Sequence, residues 1–359
     1  MKKDTIIIHP TDRGACSWYR LKFMSMLLMS GRAGEVQTVV SPFEITDGPT
    51  LARTAAILVG RPYDDETGGL MVSHYRRNKG RYGYNIFLDY DDIMFSLDGS
   101  DVIPDYNPLH IDTVASGKYM EALFSKVDGI TVSTGFIKEK MLERFGDVPV
   151  TVLPNAVPEF MFGKAQEFAS IPVRPKVLYA GSMFHFSDGK AGDFDGPWIP
   201  FLKEAVAKGE MELHTFGLPW FLEEVKDRVK VHESVSSVEF PKTIAAIRPD
   251  VYLAPLQDND FNKAKSNLKL LEATAIGAVL LGSGFFGSPY VEAHPWSLVW
   301  PEATPDMLRW QFRKVCLNKM EVLKYQRNLM DKEGYWMDGR HYMTRWLRTY
   351  FGDNLVVHG

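Results

Sequence analysis

Apolar positions along the chain alternate between two patterns. Short continuous runs, such as Ile6-Ile-Ile8 and Ala278-Val-Leu-Leu281, read as strands buried on both faces. Between them lie stretches in which apolar residues recur every three or four positions, the spacing of an amphipathic helix. Read this way, strands are expected at Thr5–Ile8, Val36–Val40, Ala55–Val59, Asn85–Tyr90, Val127–Thr134 and Val150–Leu153. A second series is expected at Lys176–Ala180, Met211–Phe216, Val229–His232, Val251–Leu256, Ala278–Leu281 and Trp296–Trp300. Helices fall between them: Trp18–Ser30 with Ser17 as N-cap and Gly31 as stop, then Val114–Phe124, Phe136–Phe145, Ile199–Ala207, one from Thr243 to Ile247, and Pro305 to about Glu333. Alternating strand and helix predicts parallel, doubly wound sheets. The aperiodic stretch Pro158–Pro175 divides two such units. The expected organisation is residues 1–165, residues 166–333, and a tail 334–359 whose aromatics Trp336, Tyr342, Trp346 and Tyr350 need burial.

The most informative stretch joins two strands of the second series. After Ala254-Pro-Leu comes a polar loop with Asn259, Asp260 and Asn262, and Ser266 or Asn267 is placed to cap the next helix. Leu268, Leu271, Ala275 and Ile276 keep helical spacing up to Gly277. Lys263, Lys265 and Lys269 crowd the start of that helix, where unpaired backbone amides already point outward, an arrangement suited to a phosphate or diphosphate. Glu272 lies near the same end. A carboxylate repels phosphate, so its expected role is to accept hydrogen bonds from sugar hydroxyls. A capped surface helix with solvated lysines is the plainer alternative.

Other motifs lie at strand ends. Gly14 allows a tight turn ahead of the first helix, and Arg20 in its first turn is a candidate to face a ligand phosphate. Asp89, Asp91 and Asp92 form an acidic cluster at a strand's carboxyl end, where α/β sites sit. Asp91 and Asp92 read either as an acceptor-hydroxyl base or as oxygen ligands for magnesium or manganese, with a helix-capping turn as the structural alternative. Gly181 and Ser182 offer donors to an anion, and His185 adds another. The segment from Asp188 to Gly196 is glycine-rich and acidic but lacks the spacing of a twelve-residue calcium loop. His74–Asn85 interleaves Arg76, Arg77, Lys79 and Arg81 with three tyrosines, a composition that can follow a nucleic-acid backbone or form a solvated helix end. His110, beside a proline turn, reads as a structural histidine.

The run Phe261-Asn-x-x-Lys-Ser-Asn-x-Lys-x-x-Glu272, flanked by Ala-Pro-Leu and by glycine plus an apolar strand, resembles the donor-binding helix of retaining GT-B glycosyltransferases. The segment from Asp128-Gly-Ile-Thr-Val-Ser-Thr134 to Leu153-Pro-Asn155 is similar to the end of their first domain, and Gly181-Ser-x-x-His185-x-x-Asp188 to the turn that touches the diphosphate. The resemblance extends to phage-encoded members, through the opening Gly, Tyr and Arg and the Asp89-Tyr-Asp-Asp92 stretch. It implies two Rossmann-like domains with C-terminal helices crossing back to the first. It also implies a nucleoside-diphosphate sugar as donor, no tightly bound cofactor, and no metal anchor on the donor, so the base reading of Asp91 and Asp92 is preferred; metal dependence stays open. Glu272 corresponds to the ribose-binding glutamate. Many members carry a second glutamate where this chain has Ala264. The phage likeness suggests duplex DNA with hydroxymethylated pyrimidines as acceptor, the base flipped into the cleft. A saccharide, lipid or protein acceptor, a non-catalytic binding module, and a sugar-nucleotide epimerase are the other readings.

Composition changes this picture little. The chain of 359 residues is long enough for two domains, and 45% hydrophobic with 24% charged residues is an ordinary globular balance. No eighteen-residue apolar run predicts a membrane span. Two cysteines, Cys16 and Cys316, give no disulfide framework or zinc spacing, and fit a reducing, cytoplasmic setting. A net charge of -4 leaves nucleic-acid binding to a local basic patch.

Overall fold

The structure is a computed structural model that describes residues 3–10, 14–32, 36–107, 112–163, 174–181, 185–187 and 189–352. It contains two parallel six-stranded sheets. The first holds β1 (Thr5–His9), β2 (Gln37–Val40), β3 (Thr54–Gly60), β4 (Asn85–Tyr90), β5 (Gly129–Val132) and β6 (Val150–Val152), in the order β2-β1-β3-β4-β5-β6. The second holds β7 (Lys176–Tyr179), β8 (Glu212–Phe216), β9 (Val229–His232), β10 (Val251–Ala254), β11 (Val279–Ser283) and β12 (Leu298–Val299), in the order β12-β11-β10-β7-β8-β9. Ile6, Ile7 and Ile8 are fully buried, as are Val279, Leu280 and Leu281, because helices cover both faces of each sheet.

Strand order reverses between β1 and β3 in the first sheet and between β7 and β10 in the second. At such a reversal the connections leave in opposite directions and open a crevice beyond the carboxyl ends of the strands. Each sheet therefore offers a binding position, and the positions face each other.

One hydrophobic core runs through both units: Ile6 and Leu58, Leu178 and Leu280, and Tyr342, Trp346 and Tyr350 of the final helix belong to a single cluster. That helix, Arg340–Phe351, crosses back onto the first sheet. The Tyr350 hydroxyl is 3.1 Å from Thr131 Oγ1, its ring meets Phe87 edge-on, and the Tyr342 hydroxyl donates to the Pro154 carbonyl at 2.9 Å. Tyr342, Trp346 and Tyr350 are thus buried, and Trp336 is half-buried. The second unit also reaches into the first: Phe261 and Ala264 pack in the cluster around Ile57, Leu88 and Ile130.

Several elements differ from the sequence expectation. The first helical path starts at Ala15, so Ser17 lies inside it and caps nothing; two segments, Trp18–Lys22 and Leu28–Arg32, have wider i→i+5 turns. Gly31 does end it, at φ 81. The expected long C-terminal helix breaks at Asn318 into Pro305–Leu317 and Lys319–Glu333. Basic segment 74–85 is mostly the end of a helix, Leu70–Tyr82, closed by Gly83 in the left-handed conformation. Asp260–Lys263, expected as loop, forms one helical turn capped by the Asn259 side chain.

Candidate active site in the cleft between the sheets

A cavity of about 380 Å³ lies where the two crevices meet. Cys16, Tyr19, Asp91 and Asp92 line it from the carboxyl edge of the first sheet; Gly181, His185, Lys265, Ser266, Lys269 and Glu272 line it from the second. Phe216, Val235, Phe240 and Leu268 supply an apolar wall.

On the second sheet's side, the Leu268–Ala275 helix presents its first amides, which have no carbonyl within the helix to bind. Asn267 occupies its cap position without a side-chain capping bond and does not line the cavity. Lys269 Nζ donates to the Ala180 carbonyl (2.7 Å), the Tyr252 hydroxyl (3.1 Å) and Glu272 Oε2 (3.0 Å). The Tyr252 hydroxyl donates to the same carboxylate oxygen at 2.8 Å. Glu272 is only 1% exposed, and this set of donors satisfies its Oε2. Lys265 has no carboxylate partner among the described residues, and its ammonium lies 4.4 Å from the centre of the Phe261 ring. Lys263 belongs elsewhere: it pairs with Asp258 and Asp260. Ala264 is fully buried against the first unit, so no carboxylate reaches the cavity from that position.

His185 Nδ1 lies 2.7 Å from Asp193 Oδ2. Asp193 also accepts from the Tyr106 hydroxyl (2.7 Å), the Gln257 amide (2.9 Å) and Asn262 Nδ2 (2.6 Å). Burial pushes the Asp193 carboxyl up, but the hydrogen bond and charge of His185, the Gln257 amide and Lys265 outweigh it and hold it below the ordinary range. Burial pushes His185 down, which favours the neutral ring. This network joins the two units through Tyr106. It depends on Gly192, at φ +55, where an added Cβ would lie 2.2 Å from the His185 carbonyl oxygen. Gly192→Ala is expected to cost at least about 2 kcal/mol in thermal or urea melts, from left-handed strain plus that collision. Ser182 lies outside the described residues, as does His110; Gly181 sits with its Cα against the Tyr179 hydroxyl, too close for a side chain.

On the first sheet's side, Asp91 is 8% exposed and its Oδ1 has no hydrogen-bond partner. Arg61 Nη1 lies 3.5 Å from that oxygen and 3.8 Å from Asp92. Burial is the main reason the Asp91 carboxyl is pushed up to about 6; Arg61 opposes the shift and Asp92 adds to it. Cys16, Asp91 and Asp92 bring their ligand atoms within 4.8 Å of one another. Arg61 already brings to that cluster the positive charge a cation would otherwise supply.

Arg20 corrects the sequence reading. It faces Asp89, not the cavity: Nε and Nη2 donate to the two Asp89 oxygens at 3.0 and 2.6 Å, and Nη1 donates to the Leu153 carbonyl and to Asn155 Oδ1. Asn155 Nδ2 in turn donates to Ser266 Oγ at 2.7 Å. The arginine therefore aligns the cavity through Asn155 and is not available to a phosphate. Gly14 is exposed and does not line the cavity. Arg76, Arg77 and Arg81 are exposed on the Leu70–Tyr82 helix, and Lys79 is paired with Asp128; none lines the cavity. Sequence reading missed Tyr252, Asp193, Asn262 and Arg61. Arg61 left the one local sign, a residue between Gly60 and Pro62 at a strand's end, and it holds φ 48.

No protein-family model matches the sequence, and no curated protein matches it; the likeness to known proteins is structural. TarM superposes with a TM-score of 0.56 at 12% identity, over 83% of this chain and 55% of that one, so this chain spans about half of TarM. HepE of Anabaena, solved with UDP and glucose, gives 0.57 at 9% identity over 96% of this chain and 98% of HepE. An α-glucosyltransferase solved with UDP-glucose and DNA containing an abasic site gives 0.57 at 10% identity, over 98% of this chain and all of that one. The likeness is one of fold: the chain has the two-domain GT-B fold.

Proposed function

We propose that this protein is a glycosyltransferase that moves a sugar from a nucleoside diphosphate to an acceptor hydroxyl. The observation that carries the reading is the cavity itself. Two lysines and a helix start occupy one wall, and a buried carboxylate with an oxygen that accepts no hydrogen bond occupies the other. Breaking the bond between sugar and diphosphate builds negative charge on the leaving group, and Lys265, Lys269 and the helix amides are placed to stabilise it. Glu272 would accept from ribose hydroxyls. Asp91 would orient the acceptor hydroxyl and take its proton. Residues 1–165 then form the acceptor side and 166–333 the donor side, with 334–359 fastening them.

The finer reading is transfer of a hexose or pentose with retention to a hydroxymethylated pyrimidine in duplex DNA. It is supported by the sequence resemblance and by a structural relative crystallised with UDP-glucose and DNA. The exposed Arg76, Arg77 and Arg81 do not add to it, because their helix ends at Gly83, just before β4 begins, toward the amino edge of the first sheet and away from Asp91. The test pairs two measurements. UDP should raise the melting temperature, since a ligand at about 100 times its Kd stabilises by about 2.7 kcal/mol. UDP-[14C]glucose should label hydroxymethylated but not plain duplex DNA. No shift with any nucleoside diphosphate would overturn the donor site. A shift with label appearing only on a saccharide acceptor would keep the enzyme class and remove DNA.

A further inference from the structure

A second cavity, of about 300 Å³, opens at the carboxyl edge of β10–β12. Its walls are the turn Asp195–Trp198, the β10 exit at Leu256–Asp258, and the exits of β11 and β12 at Phe285 and Trp300. Trp300 leaves 47% of its surface exposed, so part of an indole is open to a ligand at this wall. Trp198 and Phe285 are buried behind it. The polar groups on the walls are acceptors and amides. Asp195 has no cationic partner among the described residues, Gln257 is half-buried, and Asp258 is held by Lys263 Nζ at 2.9 Å. Among the described residues no lysine or arginine lines this cavity directly.

We propose that this cavity binds a neutral saccharide. A sugar ring has an apolar C–H face that stacks on an indole and a rim of hydroxyls that donate to carboxylates and amides; the walls supply both surfaces. The walls carry Asp195, unpaired by any cation among the described residues, and Asp258, paired with Lys263; that net negative lining disfavours a phosphate or nucleotide. A compact ammonium ion is a poorer match, because Lys263 already neutralises Asp258 and the remaining donors and acceptors are spread around a space of ring size. The site also touches the donor network: the Gln257 amide donates to Asp193 Oδ1, and Asp193 and Asp195 share one short turn. The inference concerns a place other than the donor cavity and does not rest on the catalytic reading.

Saturation-transfer NMR on the full chain tests it, with methyl α-glucopyranoside and maltotriose as probes and choline and inorganic phosphate as controls. Saturable binding at millimolar concentration is expected for a saccharide. Trp300→Ala, at an exposed position that should not unfold the protein, should weaken it by about 10-fold, or about 1.4 kcal/mol. Asp195→Asn should weaken it less, and Lys265→Ala should leave it unchanged. Absence of saturable binding by both probes, binding that survives both Trp300→Ala and Asp195→Asn, or binding of choline in place of the sugars would overturn the proposal.

Discussion

Lys265→Ala is expected to lower sugar transfer by about 10²- to 10³-fold, the usual cost of removing one charge-stabilising donor from a transition state, while barely changing the melting temperature. The separation follows from its surroundings. Lys265 makes no ion pair among the described residues and touches only the Phe261 ring, a contact worth about 0.5–1 kcal/mol where water reaches it. Lys269 should behave differently. Removing it takes from Glu272 the one cationic partner it has among the described residues and leaves a carboxylate that is 1% exposed. Breaking a fully buried pair costs about 3–5 kcal/mol, and because this ammonium is partly exposed about 2 kcal/mol is expected. Lys269→Ala should therefore lose both stability and transfer, and adding Glu272→Gln should return much of the stability and none of the transfer. Urea denaturation and initial rates on the four proteins resolve these effects. Equal stability loss for Lys265→Ala and Lys269→Ala, or full transfer by Lys265→Ala, would contradict the assignment of charge to the leaving group.

How far the sequence carries depends on distance along the chain. Strands such as Val251–Ala254 and Val279–Ser283 are continuous apolar runs because both faces are covered, so their places can be read directly. Lys265, Lys269 and Glu272 lie within eight positions, and the Leu268–Ala275 helix with the bend before it brings them to one cavity; that spacing is legible too. What could not be read is pairing over long separations. Tyr252 looks like one more apolar strand residue until its hydroxyl is seen on Glu272. Asp193 looks like part of a solvated acidic loop, whereas it collects bonds from Tyr106, His185, Gln257 and Asn262. Arg20 is legible as a residue of the first helix, but neither its turn, which is the second because the helix starts at Ala15, nor its facing is, since its partner Asp89 comes from a strand 69 residues later. Ala264 reads as a missing carboxylate; packing explains it, since the position belongs to the core of the other unit.

The second large effect concerns Asp91. If it takes the acceptor proton, Asp91→Asn should lower transfer by about 10²- to 10⁴-fold without altering the thermal shift produced by UDP. The wild-type rate should rise with pH and level off above a midpoint near 6, because the base must be ionised and burial holds its carboxyl at about 6. Arg61 lies 3.5 Å from Asp91 Oδ1 and favours the ionised form, so Arg61→Ala should move the midpoint upward and Arg61→Lys should restore part of the shift. Asp92 repels the same charge, so Asp92→Asn should move it downward. Stability has its own sign. A carboxyl raised from 3.8 on folding holds its proton more tightly in the folded chain, so ionisation works against folding as pH rises from about 4 to about 6 and the penalty is constant above that. Asp91→Asn should therefore raise the melting temperature at pH 8 and have little effect below pH 4. A flat rate profile between pH 5 and pH 8, or a midpoint indifferent to Arg61→Ala, would mean that the carboxylate facing the lysines is not the group that takes the proton.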